Sequence, residues 1–394
     1  MNRFAAIEGA LSRTHQTWEV VPLKRLATLR EDPDIKGAAS LLSLKNTGAL
    51  APRGDDVQPP SDEHRLRYLL TDAGDLVVNP MWLAGGAIGV SSVSGAVSPD
   101  YRVYSLSAQV EPRFVHHLFR SAPYHDQYRL LMRAETTFDR RVTKEDFAQL
   151  PVLLPPLDIQ RGIAEFLDAE TVRIDALIEK RQQMIALVRE RFAATRRGLF
   201  DHLASAYGEI ALRRCVRCLD GRRIPLNAEA RAERSGPFPY WGAGNVVDHI
   251  DDYLFDEVLV LLGEDGAPFF DKARDVAFYV EGRVWVNNHI HVLRPNSSWL
   301  PRYLVHMLNA VDYGAYITGS TRDKLTQAEM NDIRLPATPV EDQHRIVEQL
   351  EISFRMLEDV RSRLTRQVSL LGEHRQALIT AAVTGQLDVS KAAA

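Results

Sequence analysis

Two stretches of this chain place apolar side chains at alternating spacings of four and three, the pattern of helices that bury one stripe against a partner. From Asp158 to about Phe200 the stripe reads Ile163, Leu167, Ile174, Leu177, Met184 and Val188, interrupted by Glu170 and Arg181. From about Glu341 to Val383 it reads Ile346, Leu350, Leu357, Val360, Leu364, Leu371 and Leu378, interrupted by Ser353, Gln367 and His374. Pro151, Pro155 and Pro156 precede the first run, Pro336 and Pro339 the second, and neither run contains a proline. Each predicted helix thus has a sharp start and an unbroken interior. Elsewhere the pattern shortens to strand-like runs between turn residues: 75–79 and 102–106, then 257–262, 276–280, 284–286 and 291–293. The predicted order is domain, helix, domain, helix.

The chain also repeats itself. Thr143, Pro156, Gln160, Ile163, Glu165 and Leu167 recur 183 residues later as Thr326, Pro339, Gln343, Ile346, Glu348 and Leu350. Solenoid repeats run only about 20 to 50 residues, so this period implies a duplicated domain-plus-helix unit. Equivalent helices of such a unit meet most simply across a pseudo-two-fold axis; the alternative is two helices packed separately on their own domains. The expected fold is α+β, internally pseudo-two-fold. Two globular mixed α/β domains, 1–155 and 206–338, are separated by a pair of long antiparallel coiled-coil helices, 156–205 and 339–394.

A chain of 394 residues with 45% apolar side chains is large enough for two or three well-filled domains. The net charge of −4 argues against a strongly basic nucleic-acid protein. Neither 1–150 nor 206–335 has a basic excess, so any DNA ligand needs local cations or help from a partner. No apolar run approaches the roughly 18 residues of a membrane span, and the first residues lack a basic-then-apolar signal; a cytoplasmic location and no membrane contact are expected. Cys215 and Cys218 form one CxxC without a second ligand pair, which favours two reduced structural thiols over zinc or redox chemistry. Three further patterns fall short of chemistry. Asn79-Pro-Met-Trp82 lacks the second proline of an amino-methyltransferase loop. Gly242-Ala-Gly244 lacks a strand–turn–helix context. Asp271, Glu281 and Arg283 have nothing to place them around one metal. With no P-loop and no HExxH, the expectation is a chain without catalysis, cofactor or metal of its own.

A proline-rich exit, then Gln-x-x-Ile-x-x-x-Leu, then a long helix closing in Arg375-Gln-Ala-Leu-Ile-Thr-Ala-Ala-Val-Thr-Gly385, resembles the specificity subunit of Type I restriction–modification systems. Gly74-Asp-Leu-Val-Val-Asn79, Val97-Ser-Pro-Asp-Tyr-Arg-Val103, Pro239-Tyr-Trp-Gly-Ala-Gly-Asn245 and Gly319-Ser-Thr-Arg-Asp-Lys-Leu-Thr326 are further family-like stretches. The resemblance implies two target recognition domains, each followed by one helical region, that bind a bipartite, asymmetric double-stranded DNA target. The helices would act as a ruler and dock two methyltransferase subunits, which use S-adenosylmethionine, and restriction/translocase subunits, which use ATP. The rival readings are a non-catalytic coiled-coil scaffold, a stand-alone DNA-binding protein and a methyltransferase fused to a reader.

Candidate DNA contacts follow from residue type. Thr137, Arg140 and Arg141 align with Ser320, Thr321, Arg322 and Lys324, each set just before the repeated threonine. Hydroxyls, backbone N–H groups and cations on a turn suit phosphates; a solvated loop is the alternative. Lys45, Asn46 and Arg53 lie in a turn-rich stretch and have the chemistry to read guanine and adenine edges, or simply to face water. Tyr240, Trp241 and Asn245 combine aromatic faces with glycines that permit close approach, although Trp241 is equally suited to a core. Asn287, Asn288 and His289 read as a bulge or turn.

Overall fold

The computed structural model describes residues 3–12, 18–54, 60–132, 141–317 and 323–389. The chain forms two compact units, residues 1–179 with 369–394, and residues 180–368.

Each unit is built on the same antiparallel sheet. In the first, β1 (Ala27–Arg30), β2 (Leu76–Val78), β3 (Ile88–Val90) and β4 (Arg102–Leu106) lie in the order β1-β4-β2-β3. In the second, β5 (Val216–Cys218), β6 (Leu259–Gly263), β7 (Ala277–Val280) and β8 (Ile290–Pro295) lie in the order β5-β8-β6-β7. The inner strands β2 and β6 are buried at every residue, which is why they read as continuous apolar runs.

Four helices organise the rest: α1 (Pro112–Phe119), α2 (Leu157–Tyr207), α3 (Pro301–Leu308) and α4 (Val340–Val383). α1 packs on β3 and α3 on β6 and β7, and both open with proline in the first turn, where its missing N–H costs nothing. Pro112 and Pro301 are 189 residues apart, whereas Thr143 and Thr326 are 183 apart. The duplication therefore spans the domains as well as the helices, but a six-residue difference upstream of the threonines breaks its register. Both threonines cap a short helix, their hydroxyls accepting the N–H of Asp146 at 3.0 Å and of Glu329 at 3.3 Å. The strands that follow, Pro151–Leu154 and Arg334–Pro336, pair with Glu19–Pro22 and Glu209–Ala211.

At 1.5 Å per residue α2 and α4 are roughly 76 and 66 Å long. Each is followed within two residues by a glycine at φ 71°, Gly208 and Gly385, a left-handed exit that glycine tolerates best. They run antiparallel within each unit. In the first unit Arg375 reaches Asp175 at 2.9 Å, and Ile163, Ala164 and Leu167 share a core with Ile379, Ala382 and Val383. In the second, Arg181 donates to Gln367 at 2.8 Å, the Phe192 and Phe354 rings lie 5.1 Å apart, and Tyr207 donates to Asp342 at 2.6 Å.

The apolar seam is less continuous than its spacing predicts. Ile163, Leu167, Ile174, Ile346, Leu350 and Leu364 are buried, and Val188, Leu357, Leu371 and Leu378 are half-buried. Leu177, Met184 and Val360, however, are 36, 43 and 42% exposed. The helix ends are sealed by side chains of the domain cores. Around Arg181 and Gln367 a polar layer replaces apolar contact, and the neighbouring positions stay open.

The halves differ where the second adds another four-stranded sheet, Val246–Ile250, Ser235–Trp241, Arg283–Val286 and Phe255–Asp256 in that order. The described residues of the first half have two-stranded pairs instead, Leu42–Leu44 with Leu50–Pro52 and Leu69–Thr71 with Gly95–Val97. No described helix is long and apolar enough to cross a membrane.

Candidate nucleic-acid interface

Each domain is fastened to the helix that follows it by the same three hydrogen bonds. The Gln160 amide donates to the carbonyls of Pro155 (2.8 Å) and Gln109 (3.1 Å) and accepts the Glu111 N–H (2.8 Å). The Gln343 amide donates to Thr338 (2.9 Å) and Ser298 (3.1 Å) and accepts the Leu300 N–H (2.8 Å). Both side chains are fully buried. A polar clamp, with one arginine ion pair and one histidine contact, sits beside each. Asp168 on α2 receives His117 at 2.9 Å and Arg113 at 3.0 Å from α1; Glu351 on α4 receives Arg302 at 3.1 Å and His306 at 3.7 Å from α3. Burial works to raise the Asp168 carboxyl, but the hydrogen bond from His117, with Arg113 behind it, holds it below its ordinary value.

With the sheets fixed in this way, the loops at the ends of the inner strands present the candidate contacts. In the first unit these gather around the loop between β2 and β3, residues 79–87. The Asn79 carboxamide accepts the Met81 N–H at 3.1 Å. Arg141 lies 3.5 Å from the Met81 sulfur and 3.4 Å from Asp100. Lys45 and Asn46 are exposed at the tip of a hairpin closed by the Gly48 N–H on the Lys45 carbonyl at 2.8 Å. Gly48 has φ 80°, and a Cβ there would lie 2.7 Å from the Ile88 carbonyl, so the turn requires glycine. Arg120 ties this tip to the loop, donating to the carbonyls of Asn46 (3.0 Å), Gly86 (2.6 Å) and Ile88 (3.2 Å). Burial lowers its pKa to about 10. Arg53 is not at the tip: it is half-buried and donates to the Tyr68 hydroxyl at 2.8 Å.

The equivalent loop of the second unit, residues 264–276 between β6 and β7, meets Lys324, whose ammonium lies 3.4 Å from Glu264. The Leu325 N–H donates to the Glu264 carbonyl at 2.8 Å. Asn245 is exposed in a turn whose Gly242 N–H donates to the Asn245 carbonyl at 2.9 Å. Trp241 is half-buried, its ring 5.4 Å from Phe278. Tyr240 does not reach the surface, contrary to the expectation for a base contact. Its ring is fully buried with Ile250 and Trp285, and its hydroxyl accepts the Leu226 N–H at 2.9 Å; Trp241 packs against a different cluster that includes Phe278. Thr137, Arg140, Ser320, Thr321 and Arg322 lie outside the described residues. Asn288 and His289 form the turn expected of them.

Beneath the second loop lies a closed charge cluster. His291 Nδ1 is 2.6 Å from Asp220, and its Nε2 is 2.9 Å from the Leu325 carbonyl. Arg223 lies 2.5 Å from Glu264 and 3.3 Å from Asp220. Asp220, Glu264 and His291 are close enough to hold an ion, but the Arg223 guanidinium already neutralises both carboxylates, and a metal would have to displace it. The arrangement is a structural floor for the loop. Burial pushes the Cys215 and Cys218 thiols up to about 12 and 11, which makes them poor nucleophiles and poor ligands.

Two side chains at these loops escape sequence reasoning. Trp82 and Phe270 are each 54% exposed. Trp82 enters the sequence only as part of a failed methyltransferase motif, and nothing marks Phe270 beside its buried neighbour Phe269. Only the matching strand order shows that the two loops correspond.

Residues 219–366 match the family model described as the Type I restriction modification DNA specificity domain. A Haemophilus influenzae protein assigned as a type I restriction enzyme specificity subunit, S.HindORF215P, is 31% identical over 133 residues, 34% of either chain. The type I restriction enzyme EcoDI specificity subunit of Escherichia coli is 27% identical over 162 residues, 41% of this chain and 35% of the relative. The aligned stretches thus span about a third of the length of these curated relatives. A chain from a structure described as the basis of assembly and conformational transition of a type I R-M system superimposes with a TM-score of 0.70 at 16% identity, covering 94% of this chain and 98% of that one. The likeness in fold extends over nearly the whole molecule.

Proposed function

We propose that this chain is a specificity subunit of the Type I restriction–modification kind, as the match of residues 219–366 and the two partial relatives support, and that it selects the DNA site for a methyltransferase/endonuclease complex. The first domain reads one half-site of a bipartite, asymmetric double-stranded target, the second reads the other, and α2 with α4 sets the unread gap. Two modification subunits using S-adenosylmethionine, and restriction/translocase subunits using ATP, dock on it. The chain itself positions and does not catalyse; extrusion and methylation of the base fall to the partner. The observation that carries this reading is the duplication in space. The same sheet order is fastened by the same buried glutamine in both halves, while the loops that face outward differ. A rigid repeated frame with divergent loops suits two readers of different short sequences. The net charge of −4 fits a subunit whose partners supply much of the phosphate attraction.

Methylation mapping in cells expressing this chain with its methyltransferase subunit, against the methyltransferase alone, tests it. The expected result is a split, asymmetric methyl-adenine motif that appears only with this chain. No new motif from a verified complex would favour the scaffold reading. Binding of S-adenosylmethionine by the isolated chain would favour a fused methyltransferase.

A further inference from the structure

We propose that Trp82 and Phe270 are the apolar base contacts of the two domains, one for each half-site of the DNA target. This rests on the specificity reading above and adds to it the residues that touch bases. Both lie in the loop that leaves the buried inner strand of equivalent sheets, β2 in one unit and β6 in the other. Single exposed aromatics are ordinary on protein surfaces. Here one recurs in each of two equivalent loops whose sequences, 79–87 and 264–276, have diverged in length and content.

The backbone under each ring is fixed. Trp82 donates its N–H to the Asn79 carbonyl at 3.2 Å, and its own carbonyl accepts from Gly85 at 3.0 Å and Ala87 at 3.2 Å. Phe270 follows Phe269, which is buried 4.9 Å from the Tyr313 ring, and precedes Asp271, whose N–H donates to the Pro268 carbonyl at 3.1 Å. Each loop thus holds a large ring half in water on an ordered pedestal. Such exposure is unfavourable for the free chain, while its ordering cost is already met before binding.

The specificity reading supplies the occupant, double-stranded DNA, and each ring has cations near it in the fold or in its own loop. Arg141, paired with Asp100 at 3.4 Å, lies 3.5 Å from the sulfur of Met81, the residue before Trp82, and exposed Lys272 and Arg274 follow Phe270 in its own loop, between Asp271 and Asp275. Cations beside an apolar probe match a duplex: the cations meet phosphates and fix register, and the ring packs on base edges such as the thymine methyl.

The test uses the assembled complex of this chain with its modification subunits. Trp82→Ala and Phe270→Ala are made separately, and binding is measured on duplexes altered in one half-site at a time, alongside methylation mapping. Each variant is expected to lose about tenfold in affinity and to relax base preference in one half-site only, a different half for each. Trp82→Phe should retain most of the wild-type affinity, and assembly and thermal midpoint should be unchanged because the rings are exposed. Unchanged affinity and motif in both variants would overturn the proposal. So would lost assembly with intact DNA binding, which would make the rings protein contacts. A wild-type complex with no sequence preference at all is a separate result, and it would overturn the specificity reading itself.

Discussion

His116 and His306 are imidazoles that the fold keeps neutral. His116 Nδ1 accepts the Val90 N–H at 3.2 Å, a role open only to an unprotonated nitrogen. Burial, aided by the neighbouring His117 and Arg120, lowers its pKa to about 3. At His306 burial acts first and Arg196 second, outweighing Glu351 and Asp275, and the pKa falls to about 4. Unfolded, both titrate near 6.5. Between these values the unfolded chain binds more protons than the folded one, so the stability they confer is complete above about pH 6.5 and drains away as pH falls towards 4. For His306 alone the loss approaches about 3 kcal/mol. Urea midpoints at several pH values should show it, with His306→Gln losing less stability than the parent between pH 6.5 and 4.5. Parallel pH dependence in the two proteins would exclude His306 as a source.

At the scale of elements, the joint between domain and helix is the repeated part. Replacing Gln343 with Leu removes three hydrogen bonds and strands the Leu300 N–H and two carbonyls in a buried site. The expected cost is about 2–4 kcal/mol, with hydrogen exchange accelerated at the start of α3; Gln160→Leu should do the same at α1. An exposed position on α4 such as Arg366 should tolerate Ala with little change. This joint was half legible in the sequence. The helices, their prolines and the repeated glutamines stand out because a 3.6-residue period and a fixed spacing survive divergence. The sheets do not, because the six-residue difference shifts the domain repeat from 183 to 189 and their strands share position and not sequence. Tyr240 looked like a reader beside its glycines, yet the fold buries it with Ile250 and Trp285. Arg53 looked free, yet the fold brings Tyr68 to it. Contacts between residues distant along the chain leave no local pattern, and the loops that meet a ligand are selected to vary.

For the whole molecule, the proposed reading of two half-sites raises the question of what would fix the distance between them. α2 and α4 are each continuous over their whole length, and the polar pair Arg181–Gln367 marks their register where the apolar seam opens. The pair is solvent-exposed, so it marks the alignment of the helices and adds little stability. Deleting the heptad 178–184 together with 364–370 removes facing stretches and preserves the phase of the flanking apolar positions. It takes about 10.5 Å of rise from each helix. Base pairs stack about 3.4 Å apart, so the unread gap should shorten by about three base pairs while both half-site sequences stay the same. Methylation mapping of the deleted chain with its modification subunits reads this directly. An unchanged gap would show that partners or DNA bending set the spacing. A change in either half-site sequence would show that the helices also shape the readers, contrary to a frame in which each domain is locked to its own helix.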